Sequence, residues 1–133
     1  MKEKVLILVV LVFSLIVVAV DAKEKENKSY KIIDNINNLM QSIFNPESIM
    51  KKEIVIRDVT YREGDKVIQL VNDVDNNIFN GDTGYIKRII MGKNPFIEID
   101  YNGNVVSYKK GKFDEFTLAY AISVHKSQGS EYD

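Results

Sequence analysis

The chain has no cysteine and a single histidine, His125. The first absence excludes disulfide staples and thiolate metal sites, and it argues against a small secreted domain. The second excludes a paired-histidine zinc motif. Positive charge is not in excess either: 18 basic residues face 19 acidic ones, for a net charge of -1. No global basic field announces nucleic acid, so any contact with phosphates has to be local. A G-x-x-x-x-G-K-[ST] loop is also missing; Met91-Gly-Lys-Asn94 lacks both the first glycine and the hydroxyl. Asp114-Glu115 has no apolar run before it, so no Asp-Glu pair marks a magnesium-binding strand.

What remains is an ordinary globular composition. With 133 residues, 45% apolar and 28% charged, the chain is one domain, or one small domain with appendages. Met1-Lys-Glu-Lys4 precedes an apolar run from Val5 to Val20, interrupted only by Ser14. Val20-Asp-Ala22 then looks like a small-residue cleavage site. Three readings of residues 1–22 stand side by side: a signal or short membrane anchor, a buried strand or strand pair, and a misassigned or fused gene start. Lys23 to Ser29 reads as a charged linker. Ile32, Ile36, Leu39, Met40, Ile43 and Phe44 then recur at helical spacing, with Pro46 as a stop. This spacing predicts an amphipathic helix with one apolar face to bury.

From Glu53 the period changes to two. Predicted strands are Ile54–Arg57, Lys66–Val71, Gly84–Met91, Phe96–Tyr101 and Val105–Tyr108. Turn signals separate them at Glu63-Gly64-Asp65, Asn80-Gly81-Asp82, Met91-Gly92-Lys93-Asn94 and Asn102-Gly103-Asn104. Gly64, Asn80, Gly81 and Gly84 are structural positions, serving turns and close strand packing. Short strands with tight turns predict one small antiparallel barrel, with a hairpin turn at Asn80-Gly81. Lys87, Arg88, Lys93, Lys109, Lys110 and Lys112 supply local charge, either as solubilising strand-edge cations or as phosphate contacts.

The last stretch, Leu118-Ala-Tyr-Ala-Ile-Ser-Val-His-Lys-Ser-Gln-Gly-Ser-Glu-Tyr132, concentrates donors. Lys126 is a cation, Ser123, Ser127 and Gln128 are neutral donors, and Gly129 lets backbone approach a ligand. Leu118, Ile122 and His125 share one helical face, so the spacing predicts a helix from about Leu118 to Gln128, ended by Gly129. His125 also fits a neutral core histidine on that face.

Ala119 to Glu131 resembles, without a gap, motif V of superfamily 1 DNA helicases of the RecD-like group and, more loosely, of the Pif-type group. Asp34-Asn-Ile-Asn-Asn-Leu39 with Asn45-Pro46, Tyr61-Arg-Glu-Gly-Asp-Lys-Val-Ile-Gln69 and Phe79-Asn-Gly-Asp-Thr-Gly-Tyr85 resemble the same group. The likeness runs from about Asp34 to Asp133. It implies an α+β fold: a small antiparallel SH3-like β-barrel flanked by an amphipathic helix and a C-terminal motif helix, with a hydrophobic N-terminal segment. The implied division is 1–22 leader, anchor or strand, 23–52 linker and helix, 53–112 barrel, and 113–133 a truncated motor segment with motif V.

By this resemblance Ser123, His125, Lys126 and Ser127 face DNA, while Gln128, Gly129 and Glu131 face the nucleotide. The implied function is part of an ATP-dependent 5′-to-3′ DNA helicase of recombination and repair. The cofactors of the intact family are ATP and magnesium; none is expected in this chain alone, nor is catalytic activity, because the phosphate loop and the arginine-bearing motif VI are missing. Implied partners are single-stranded DNA, bound weakly in isolation, and the remainder of the motor, in the cytoplasm. The competing reading, carried by Val5–Val20, is an exported or membrane-tethered small β-barrel that binds a partner.

Overall fold

The computed structural model describes residues 23–121. It opens with a helix, α1 (Lys23–Phe44). Seven strands follow: β1 (Glu53–Ile56), β2 (Val59–Arg62), β3 (Lys66–Gln69), β4 (Thr83–Ile90), β5 (Phe96–Tyr101), β6 (Asn104–Lys109) and β7 (Phe116–Leu118). A short 3-10 turn, Lys110–Lys112, joins the last two. The fold is α+β and SH3-like. Residues 1–22 and 122–133, which hold the apolar run and most of the motif V string, lie outside the described residues.

The expected single barrel is corrected in one respect. All described pairings are antiparallel, but they form a five-stranded sheet, β6-β5-β4-β3-β7, and a separate two-stranded hairpin, β1-β2, so the barrel does not close. The two layers still enclose one core. Ile54 and Tyr61 from the hairpin join Val67, Ile86, Ile89, Ile97, Ile99 and Leu118 from the sheet in one buried cluster. Alternation explains this: along β5 every second residue is buried, so Ile97, Ile99 and Tyr101 point inward. Phe116 is the aromatic centre, meeting the rings of Tyr61 at 5.5 Å and Tyr108 at 5.0 Å edge to face.

Asn102-Gly103 is a two-residue hairpin turn. It pairs Tyr101 with Asn104, and both turn residues have positive φ, 54° and 96°. Asn80-Gly81 is different and corrects the expected hairpin. The β3–β4 connection occupies residues 70–82, with its own Asp73–Ile78 bridge and an Asx turn from Asp73 to Asn76. Asn80-Gly81 forms a turn at its end, closed by the Asp82 N–H donating to the Phe79 carbonyl at 3.0 Å. Gly84 lies inside β4, where an added Cβ would stand 2.7 Å from the Asp100 carbonyl oxygen.

Three further expectations are corrected. Lys23–Ser29 is not a linker but the first part of α1. Residues 59–62 form β2, which the turn-rich reading of Tyr61-Arg-Glu-Gly64 overlooked. The predicted helix start at Leu118 is a strand end: Phe116, Thr117 and Leu118 pair with Gln69, Ile68 and Val67. Pairing to a buried central strand outweighs the local helical spacing, and Phe116 and Thr117 suit a strand.

Burial also acts on the core phenols. Tyr101 and Tyr108 both donate to the Gln69 Oε1, at 3.0 and 2.8 Å. Burial pushes Tyr108 up to about 12 and Tyr101 further in the same direction. A raised folded value means their contribution is complete below the ordinary phenol value of about 10 and is lost as pH climbs through the folded values. The tyrosinate absorbance of these two residues is therefore expected to appear only above pH about 11, together with loss of near-ultraviolet circular dichroism. Complete tyrosine titration near pH 10 with the dichroism intact would contradict it.

Candidate functional site

Sequence periodicity located α1 but not the face it buries. Its inward stripe is Ser29, Ile33, Asn37, Met40 and Gln41, followed by Asn45 just beyond its end. Of the expected face only Met40 is buried; Ile36 is half-buried, and Ile32, Leu39, Ile43 and Phe44 are exposed. Three amides thus recur at spacing four, at positions 37, 41 and 45, and that spacing was readable from the sequence as a polar helical face.

The reason for the inversion lies across the contact. Asp65, at the start of β3, is fully buried. Its carboxylate accepts four hydrogen bonds. Gln41 Nε2 donates at 2.7 Å, Asn45 Nδ2 at 2.8 Å, the Arg62 backbone N–H at 2.6 Å and the Tyr120 hydroxyl at 2.9 Å. A buried carboxylate needs this degree of satisfaction. Burial first, and then the charge and hydrogen bond of the Asp65 carboxylate, hold the Tyr120 phenol well above its ordinary range.

Gly64, at φ +93°, turns the chain into this site, and its N–H donates to the Ile86 carbonyl at 2.8 Å. Arg62 reaches the Asn45 carbonyl through Nη1 at 2.6 Å and Glu53 through Nε at 2.5 Å. Lys51 donates to Asn45 Oδ1 at 2.6 Å. So Asn45, ahead of Pro46, is tied to both the hairpin and the sheet.

The same network seizes the first residues of the motif V string. The Ala119 N–H donates to the Lys66 carbonyl at 2.9 Å. Tyr120 reaches Asp65. Asn37 then clamps Ala121 from both sides: its Nδ2 donates to the Ala121 carbonyl at 3.0 Å, and its Oδ1 accepts the Ala121 N–H at 2.7 Å. Helix, sheet and the residues entering motif V therefore meet at one polar junction. Sequence reasoning missed Asn37, Gln41, Asp65 and Tyr120 as its members.

The candidate contact residues Ser123, His125, Lys126, Ser127, Gln128, Gly129 and Glu131 lie outside the described residues. The cations of the sheet are described, and they are not equivalent. Arg88 is paired with Glu98 at 2.7 Å and Lys112 with Glu115 at 3.7 Å. Lys87, Lys93, Lys109 and Lys110 are exposed and make no ion pair with a described residue. Among the described residues no helix is long and apolar enough to cross a membrane.

Comparison with known proteins adds the family. The model for the SH3 domain of ATP-dependent RecD-like DNA helicases matches residues 36–104. The chain is also similar to the ATP-dependent RecD2 DNA helicase of Deinococcus radiodurans, with 34% identity over 100 residues. The matched stretch is 75% of this chain and 13% of the relative's length.

Proposed function

The chain belongs to the ATP-dependent RecD-like DNA helicases, and from that membership we propose that it supplies the DNA-contacting barrel and motif V of such a motor. The observation that supports this most is the junction at Asp65. It ties the matched SH3 region to Tyr120 and Ala121, at the point where the chain enters Ile122-Ser-Val-His-Lys126. In this reading Ser123, His125, Lys126 and Ser127 touch the phosphates of single-stranded DNA. Gln128, Gly129 and Glu131 face the nucleotide in the assembled motor, which unwinds DNA 5′ to 3′ in recombination and repair.

Among the described residues no group of three or more His, Cys, Asp or Glu residues could take a metal ion, and the sequence has no phosphate loop. In this reading ATP hydrolysis belongs to the assembled motor, whose remainder is the partner. Nothing among the described residues favours a membrane-tethered binding protein.

The test is a salt titration of fluorescent oligonucleotide anisotropy. The chain is expected to bind single-stranded DNA with a dissociation constant of about 10⁻⁴ to 10⁻⁶ M, neutralising about 2–4 phosphates. Lys126→Ala should weaken binding equally across sequences and flatten the salt slope by about 0.7. Binding indifferent to Lys126 would remove motif V from the reading.

A further inference from the structure

A cleft of ≈ 470 Å³ separates β1 from the 3-10 turn, a size within the range of about 300–1,000 Å³ that holds small organic groups. Its lining includes Ile54, Phe113 and Pro95, and its charged members are Arg57, Lys110 and Asp114. Ile54 and Phe113 belong to the core cluster, so the floor is apolar and rigid. On the described strands β1 has only β2 as a partner.

The cations of the lining are available to a ligand. Arg57 and Lys110 make no ion pair with a described residue, as is also true of Lys87, Lys93 and Lys109. The backbone under Arg57 is also strained. Arg57 and Asp58 form the two-residue turn between β1 and β2, with φ of 48° and 66°. Asn-Gly fills such a turn without cost, while side chains larger than glycine resist the left-handed region. An arginine held there, at the lip of a cleft and without a carboxylate partner, marks a site rather than a device for stability.

We propose that this cleft is a single-stranded DNA subsite of the barrel. One nucleotide lays its base and sugar against the Ile54–Pro95–Phe113 floor, and Arg57 and Lys110 take the flanking phosphates. Unstacked bases expose the apolar faces such a floor accepts, and a duplex buries them. Asp114, the one acid of the lining, suits a base edge with an amine donor and repels a further phosphate. The site rests on the DNA reading above and gives it an address away from motif V.

The experiment uses the full chain and a fluorescein-labelled oligothymidylate of about 12 nucleotides, followed by anisotropy across a salt series. Arg57→Gln and Lys110→Gln are each expected to lower the magnitude of the salt slope by about 0.7, and the double variant by about twice that. Arg57→Gly is the sharper probe. It relieves the strained turn, so it should unfold at a higher temperature than the parent while binding DNA less tightly. A purely structural role for Arg57 would move both readouts the same way and overturn the proposal.

The double variant binding like the parent would overturn it too, as would an oligoglutamate peptide displacing the probe as well as unlabelled DNA does. Loss of binding on Lys126→Ala alone, with the cleft variants intact, keeps the motif V reading and removes the cleft. Loss in the cleft variants alone does the reverse. No binding by the parent at low salt removes both.

Discussion

Asp65→Ala is expected to cost about 3 kcal/mol or more of unfolding free energy, one of the two largest effects among single substitutions in this chain. The carboxylate is the shared acceptor for Gln41, Asn45, Tyr120 and the Arg62 N–H. Removing it leaves several buried donors without an acceptor, at about 1–3 kcal/mol for each one that water cannot reach. Asp65→Asn should recover little, because an amide turns its own N–H donors toward a ring of donors. Tyr120→Phe removes one bond and leaves the other three in place, so it should cost only about 1 kcal/mol. Urea unfolding with an unchanged m-value measures all three. Equal costs for Asp65→Ala and Tyr120→Phe would show that the carboxylate is not the hub.

Gly84→Val should cost about 3 kcal/mol, and Gly84→Ala somewhat less. The reason is space rather than backbone conformation. A Cβ at this position would meet the Asp100 carbonyl oxygen at 2.7 Å, Tyr101 Cδ1 at 2.9 Å and Ile99 Cγ2 at 3.0 Å. The first of these is backbone of the neighbouring strand β5, which cannot yield without breaking the β4–β5 ladder. Gly103 provides the contrast. A Cβ there meets nothing within 4 Å, but φ is +96°. Gly103→Ala should therefore cost only the backbone term of about 1 kcal/mol. Denaturant midpoints separate the two cases, and similar losses at both positions would refute the steric account.

These positions differ in how far the sequence disclosed them. β5 and β6 were legible because alternation and an Asn-Gly turn agree with the final pairing. The β1–β2 hairpin was not, since Arg57-Asp58 lacks the glycine or asparagine that usually marks such a turn and Ile54–Arg57 ran on as one strand. β7 was overlooked, and its last residue, Leu118, was read as a helix start because Leu118, Ile122 and His125 fit that period. Its pairing partner β3 is far away in sequence, and local spacing cannot see it. The helix itself was legible but its buried face was not. Hydrophobic periodicity assumes an apolar counterpart, and here the counterpart is a carboxylate. The polar stripe was present in the sequence, yet nothing local says that Asp65 will be buried. The motif V string was legible as a family likeness, and its positions from Ile122 onward fall outside what the structure describes.

The amide stripe on α1 has a mechanical consequence. Two surfaces joined by grease can creep past one another by a fraction of a residue at little cost, because dispersion contacts are many and undirected. The hydrogen bonds of Asn37, Gln41 and Asn45 involve particular atoms: Asn37 accepts the Ala121 N–H and donates to the Ala121 carbonyl, and Gln41 and Asn45 donate to the two oxygens of Asp65. Rotation or sliding of the helix by one position would break all of them together. A force applied along α1 is thus delivered to β3 and to Ala121 without slippage, as through a keyed shaft.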